Sequence, residues 1–462
     1  MKIVYLSPSA QLGGVENVLL DMLACVRQAR PAWTLEVIVP AEGPLVERVR
    51  AMGASVTVLP YPAALARFGD AGAGGPAGRT QSRARFAQRA LLSAPAALVY
   101  ALRLRRALCT SAPDIVHANG FKMQALAALA RVRQASLVWH LHDYVGSRPV
   151  AARLLRWLSG ACDAAVANSQ SVADDAREVF GARVPVSHIY NAVDLKRFAP
   201  EGACADLDAL SALPPAEDGT VRVGLVATLA RWKGHEIFLR ALALLPKDLN
   251  VRGYVVGDAL YQTDGSQHTL DELRRTASEL GLNERVGFTG FVPDAAAAMR
   301  ALDVVVHAST EPEPFGLVIA EAFACARAVI ASARGGAAEL FTPDVDALAH
   351  TPGDPEDLAA HIAQLARDTD LRRCLGARAQ AAATRRFDRA RLAYEWTKIY
   401  CGLRNAEAEA DGETERRYDV EKEAALSNIS LPRPETLARA CQEQEAALSN
   451  VSQSSSLPVS PS

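Results

Sequence analysis

The chain has 462 residues, 50% of them hydrophobic, and a formal net charge of −2. That length accommodates two or three domains with sizeable cores, and the near-neutral charge argues against a dedicated nucleic-acid binder. Its eight cysteines form no Cys-x-x-Cys pair and lie largely in apolar runs, which argues for buried thiols in a reducing compartment rather than a disulfide framework or a zinc site.

The opening Met1-Lys2-Ile3-Val4-Tyr5-Leu6-Ser7-Pro8 is too short for a signal peptide and reads as a first strand. No run reaches the roughly 18 apolar residues of a membrane span, so the expected location is cytoplasmic, with contact to the inner face of a membrane left open. Short runs at Ile3–Leu6, Leu35–Val39, Val56–Leu59, Ile115–His117, Leu137–Leu141, Ala164–Ala167 and Val186–Ile189 alternate with helical stretches, the pattern of a parallel α/β sheet. Gly13-Gly14 opens a helix whose apolar face is Val18, Leu19, Met22, Leu23 and Val26.

Residues 71–113 break this rhythm. A Gly-rich patch, Ala71 to Gly78, leads into a segment with arginines at 79, 83, 85, 89, 103, 105 and 106 and no acid among them. A basic amphipathic helix over 79–106 can lie on an anionic membrane surface, each basic residue being worth roughly 1 kcal/mol there. It can equally cover the sheet with a solvated basic face, and Pro95 stands in its middle.

After a polar segment, Pro200 to Thr220, a second α/β series begins. Its strands are Val223–Ala227, Arg252–Val256, Val286–Thr289, Val304–His307 and Val329–Ala331, with helices such as His235–Leu245, Leu270–Leu280 and Pro355–Arg367 between and after them. The expected organisation is a first domain over 1–199, a linker at 200–220, a second domain over 221–385 and a terminal helix at 386–404. A tail at 405–462 carries net charge −6, leaving +4 on the rest, and its acidic and Ser-rich composition predicts disorder.

The stretch 301–340 concentrates the chemistry. A buried strand, Val304-Val305-Val306, leads to a loop with Glu311 and Glu313, then to Phe315-Gly316 and a helix carrying Glu321. Such a βαβ loop lies at the carboxyl edge of a sheet, where glycine admits a ligand to the backbone and the helix start favours an anion. Arg231-Trp232-Lys233-Gly234, after the first strand of the second series, adds cations at another such loop. With the Gly13-Gly14 turn these make a diphosphate plausible, and carboxylates suit sugar hydroxyls because they accept hydrogen bonds.

The string Glu-Pro-Phe-Gly-Leu-Val-x-x-Glu-Ala at 313–322 resembles the Glu-x7-Glu signature of the family-4 (group 1) retaining glycosyltransferases of GT-B fold. Gly13-Gly14-Val15-Glu16, Pro113 to His117, Val138 to Asp143, Ile189 to Asp194 with Phe198, Val286 to Phe291 and Gly335 to Glu339 resemble further family elements, in the expected order over about residues 1–400. The resemblance implies an α/β fold of two Rossmann-like doubly wound domains facing a cleft. It implies that Glu313 binds donor-sugar hydroxyls and Glu321 the ribose. Backbone N–H groups of Phe315, Gly316, Leu317 and Val318 would hold phosphate, Lys233 and Arg231 would counter its charge, Gly13 and Gly14 would let the backbone approach, and His142 would line the acceptor side. The sequence departs from the family at Thr228, where an arginine is usual and for which Arg231 would stand in. It departs also at Ala326-Arg327-Ala328 and Asn191-Ala192, where alanine for glycine suggests tamer backbone angles.

The implied activity is transfer of a hexose, with retention and without a metal or other cofactor, from a nucleotide diphosphate sugar to a glycan or lipid-linked acceptor in cell-envelope polysaccharide, lipopolysaccharide or glycolipid synthesis. Soluble sucrose-, trehalose- or glycogen-type transferases and phosphorylases share that scaffold. A non-catalytic scaffold that binds a sugar nucleotide or protein partners is the reading from a different class.

Overall fold

The computed structural model describes residues 1–66, 83–259 and 266–404. The Gly-rich patch at 71–78, Arg79, residues 260–265 and the tail at 405–462 lie outside the described residues, as do the side chains of Arg83, Arg85 and Arg89.

The first sheet contains β1 (Lys2–Leu6), β2 (Thr34–Val39), β3 (Ser55–Val58), β4 (Ile115–Asn119), β5 (Ser136–Leu141), β6 (Ala164–Ala167) and β7 (Val186–His188). All are parallel, in the order β3-β2-β1-β4-β5-β6-β7. Their helices are α1 (Gly14–Ala29), α2 (Pro44–Ala51), α3 (Ala63–Ala66), α4 (Arg83–Ser111), α5 (Phe121–Leu129), α6 (Pro149–Leu158) and α7 (Gln170–Phe180). Both faces are covered, so β4 is buried along its length and β1 from Ile3 to Leu6.

After α8 (Leu207–Leu210) come β8 (Val221–Val226), α9 (His235–Leu244), β9 (Val251–Val256), α10 (Leu270–Glu279), β10 (Val286–Gly290), α11 (Ala295–Arg300), β11 (Val304–His307), α12 (Leu317–Ala324), β12 (Ala328–Ser332) and β13 (Leu348–His350). The order of this second parallel sheet is β10-β9-β8-β11-β12-β13. Then follow α13 (Pro355–Arg367), α14 (Thr369–Arg386) and α15 (Arg389–Arg404). Two doubly wound sheets are the GT-B architecture that the resemblance implies. β13, Leu348-Ala349-His350, is absent from the sequence expectation, because it holds no β-branched residue and only one large apolar one.

Two segments are placed otherwise than a linear reading suggests. The segment 200–220 is seated on the second sheet: Leu207 is in its core, and the buried Asp208 carboxylate accepts from Tyr254 Oη at 2.6 Å and pairs with Arg252 at 2.7 Å and Arg222 at 3.0 Å. Burial pushes that carboxyl up, but the bonds from Tyr254 and Arg252 outweigh it and hold it at about 2. The terminal helix α15 returns to the first domain, where Leu392, Trp396 and Tyr400 join the core beside α1. Arg389 fastens the crossing by pairing with Asp21 of α1 and, at 2.6 Å, with Asp194.

The expectation of tamer backbone angles fails at Ala326, whose φ is +55°. Ala326 N–H donates to Phe323 O and Arg327 N–H to Ala322 O, at 2.9 and 3.0 Å, so the end of α12 closes as a Schellman turn, which demands a left-handed residue there. Ala192 shows no such angle. Ala326→Gly is therefore expected to raise the unfolding free energy by about 0.5–1 kcal/mol, the relief of the left-handed alanine less the added freedom of the unfolded chain. Urea unfolding monitored by circular dichroism tests this.

Candidate active site

The strand order reverses between β1 and β4 in the first sheet and between β8 and β11 in the second. Loops leaving the carboxyl ends of strands at such points are where doubly wound sheets hold ligands. Lys233 stands in the loop after β8 and Glu313 in the loop after β11. The two loops are joined by Thr310 N–H donating to Trp232 O at 2.8 Å. They run so close that a Cβ on Gly234, at φ +78°, would fall 1.9 Å from the carbonyl oxygen of Ala308, so glycine is required there.

Lys233 Nζ donates to both oxygens of Glu313, at 2.9 and 2.7 Å, and lies 4.1 Å from the centre of the Trp232 ring. Glu313 is 7% exposed. Its Oε2 also accepts from Ser309 Oγ at 2.8 Å and faces His307 Nε2 at 3.3 Å. Burial pushes this carboxyl up; the Lys233 charge and the His307 contact outweigh it and hold the group well below the usual carboxylate range. Oε2 is thus saturated, whereas Oε1 takes only Lys233 and keeps capacity for one more donor.

Three residues on, Gly316 at φ +90° is the N-cap of α12. The N–H groups of a helix's first turn, here at Leu317 and Val318, have no acceptor within the helix and favour an anion. The Phe315 ring is buried, 6.1 Å from the rings of both Tyr190 and Phe387, which anchors this turn. Glu321, one turn along, is half-buried. Burial raises its carboxyl to about 8; Arg197 offsets this in part and Asp21 of α1 adds to it.

The first domain contributes a histidine. His142 follows β5, and its Nε2 is 3.0 Å from Asn119 Oδ1. Asn119 Nδ2 donates to Leu6 O at 3.4 Å, which turns its oxygen toward the imidazole. Nε2 therefore carries the proton and Nδ1 the lone pair. Burial lowers the His142 pKa to about 3, so the ring is neutral at physiological pH, with the buried His140 ring 3.9 Å away between centres. Gly13 N–H donates to Glu16 Oε2 at 3.1 Å, and a Cβ on Gly14 would meet no atom within 4 Å.

Two clasps hold the domains together at this seam. Tyr144 Oη donates to Glu313 O at 3.3 Å and accepts from Gly336 N–H at 3.1 Å. The Glu339 carboxylate accepts from Gln170 N–H (2.9 Å) and Ser171 N–H (2.7 Å) at the start of α7, and from Tyr190 Oη (3.0 Å). An open recess of about 740 Å³ adjoins them, lined by Tyr144, Tyr190, Glu339 and Asp174, Asp175 and Glu178 of α7.

The structure thus gathers Lys233, Glu313, Phe315, Gly316, Leu317 and Val318 around one point. His142 is carried toward them on the loop whose Tyr144 touches Glu313, while Glu321 feels the charge of Asp21 on the helix that Gly13 and Gly14 open. Arg231 is not brought into the cluster. Its guanidinium lies 3.2 Å from His268 Nδ1 and pairs with Glu272 at 3.3 Å, and Glu272 is the acid of the Thr269 capping box that starts α10. Sequence reasoning named neither Ser309 nor His307 as Glu313 partners, nor Asn119 and Tyr144. His307 and Asn119 end buried strands, a place where a polar residue is a legible signal.

The model for glycosyltransferase family 4 matches residues 12–197, and the model for glycosyl transferases group 1 matches residues 214–382. A lipopolysaccharide core biosynthesis mannosyltransferase of Rhizobium leguminosarum bv. viciae is 32% identical over 219 residues, 47% of this chain and 58% of the relative. A D-inositol 3-phosphate glycosyltransferase of Xylanimonas cellulosilytica is 33% identical over 231 residues, 49% of this chain and 54% of the relative. The matches span about half the length of these curated relatives. The crystal structure of Anabaena Alr3699/HepE in complex with UDP-glucose superposes with a TM-score of 0.68 at 28% identity, over 86% of this chain and 100% of that one.

Lys233→Ala leaves Glu313 buried without its cation, and a destabilisation on the order of 3 kcal/mol is expected near neutral pH. Because the wild-type carboxyl is held low, the pair's contribution is present above the ordinary carboxylate range and is lost as pH falls. In the variant, burial acts on Glu313 without the Lys233 charge and raises its carboxyl, so the variant sheds the buried charge by taking up a proton, and the gap to wild type should narrow as pH falls from about 8 to about 4. Thermal melts across that range check this; a gap independent of pH would count against the pair.

Proposed function

The chain belongs to the group 1 glycosyltransferases, and from that membership we propose that it moves a hexose, with retention, from a nucleotide diphosphate sugar to an acceptor hydroxyl. The observation that carries the reading is the Lys233–Glu313 pair at the switch point, beside the first turn of α12. Free Oε1 capacity on Glu313 suits a donor-sugar hydroxyl. Lys233 and the N–H groups of Phe315 to Val318 suit the diphosphate, and Glu321 suits the ribose. The open space at Gly14 suits close approach of the diphosphate to the backbone.

The acid–base properties of the site favour one route. Glu313 is held far too low, and His142 at about 3 is too weak, for either to deprotonate a hydroxyl effectively. In the proposed step the bond from the anomeric carbon to the diphosphate oxygen breaks, its electron pair leaving with the phosphate. The acceptor oxygen bonds to the same face of the sugar, and its proton passes to the departing phosphate oxygen. Lys233 and the start of α12 stabilise the charge that develops there, so no metal is assigned a part. Neutral His142, with its lone pair on Nδ1, would accept from a hydroxyl near the reacting carbon. The acceptor is read as a cell-envelope polysaccharide, lipopolysaccharide or glycolipid, supported by the lipopolysaccharide core mannosyltransferase among the relatives.

A screen of UDP-, GDP- and ADP-sugars for binding and hydrolysis tests the reading. One of them is expected to bind, and both Glu313→Ala and Lys233→Ala should lower turnover by about 100-fold or more. If none binds the intact chain, the proposal falls; if one binds and no acceptor ever receives its sugar, the chain is a binding scaffold. A second expectation concerns Glu321, whose carboxyl is neutral below about 8. Glu321→Gln mimics that form, so nucleotide affinity should match wild type near pH 7, and wild type should bind more tightly above about pH 8 as its ionised carboxylate becomes a pure acceptor for ribose hydroxyls. Calorimetric titration over this range decides it.

A further inference from the structure

Helix α6 carries an apolar stripe that nothing in the described chain covers. Val150, Leu154 and Trp157 recur at helical spacing and are 41%, 45% and 74% exposed, while Leu155 and Leu158 face the core. Helices α4, α5 and α6 pack on the same face of the first sheet and share one core, with α5 buried along nearly its whole length and in contact with both of the others. α4 likewise exposes Leu98, Val99 and Leu102, each by more than half. Large side chains gathered outward on one layer mark an interaction surface.

The charge of the layer names the partner. From Arg79 to Cys162 the only acids are Asp114 and Asp143. Asp114 is taken by Lys2 N–H and Arg404, and Asp143 by Arg148. Arg153 and Arg156 are exposed beside the apolar stripe of α6, and Arg183 donates to Arg156 O at 3.3 Å, which brings a third guanidinium alongside. The acids of α7 line the recess at the seam. No helix among the described residues is long and apolar enough to cross a membrane. A short helix with an outward Trp and Leu flanked by arginines is instead built to lie in a lipid interface, its apolar side chains below the headgroups and its guanidinia on anionic phosphates.

We propose that the outer face of the α4–α6 layer, anchored by Trp157 and Leu154 with Arg153 and Arg156, seats the protein on an anionic lipid bilayer. The loop carrying His142 and Tyr144 leads directly into α6, so a seated α6 ties that loop to the membrane surface. This moves the emphasis of the sequence expectation from 79–106 to α6. It stands apart from the glycosyl-transfer reading, because binding is measured without donor or acceptor.

The test is flotation of the full chain with vesicles of equal parts phosphatidylglycerol and phosphatidylcholine, against pure phosphatidylcholine, at low and raised salt. The chain should float with the anionic vesicles only, and less at raised salt. Trp157→Ser/Leu154→Ser and Arg153→Glu/Arg156→Glu should each weaken binding about tenfold or more while leaving the melting temperature unchanged. Brominated lipid should quench tryptophan fluorescence in the wild type and not in Trp157→Phe, a readout that needs no destabilising change. The proposal is overturned if the chain does not float with anionic vesicles, or if neither double variant weakens flotation and Trp157→Phe leaves quenching intact. It is overturned also if light scattering shows a dimer that Trp157→Ser/Leu154→Ser dissociates, which would assign the face to a second copy.

Discussion

The Lys233–Glu313 ion pair is the constraint on which the site depends. Two oppositely charged groups are withdrawn from water at a switch point, and each is tolerable there only because the other is present. The pair ties the loop after β8 to the loop after β11, and the bare backbone of Gly234 lets them touch. Ser309 and His307 complete the shell of Oε2, leaving Oε1 with spare capacity. The same bonds that stabilise Glu313 as an acceptor make it a poor base, and that acid–base fact, more than the presence of a glutamate, shapes the chemistry available.

The second domain does not hold this arrangement alone. Tyr144 reaches across to the Glu313 backbone, and Glu339 reaches back to the start of α7, where two N–H groups lacking helical partners receive its carboxylate. Each domain therefore completes a polar end left unsatisfied in the other. Such a seam is specific because polar groups lose their partners when it opens, and adjustable because those groups can turn to water instead.

Much of the fold was legible because parallel strands covered on both faces are written as largely apolar runs, and twelve of the thirteen strands among the described residues coincide at least in part with a run read from the sequence. β13 was not, being three residues whose pairing with β12 supplies its only definition. At the site, residue type and loop position were legible for Lys233 and Glu313, but their partnership was not, since 80 residues separate them. Arg231 looked like a phosphate ligand because its neighbour Lys233 does. What draws it away is the Glu272 carboxylate, a capping group whose position follows only from how α10 begins. Ala326 was misread for a related reason: composition suggests relaxed angles, and the turn that joins α12 to β12 imposes strained ones.

The return of α15 to the first sheet has a consequence for biosynthesis. Leu392, Trp396 and Tyr400 fill the core beside α1, yet they are among the last described residues to be translated. A nascent first domain leaves the ribosome with that apolar face bare, and it stays bare until the whole second domain has been made. At about 5–20 residues per second this interval is on the order of ten seconds or more. Vectorial synthesis therefore cannot finish the domains in order: the core beside α1 is completed only once the carboxyl-terminal helix has been made.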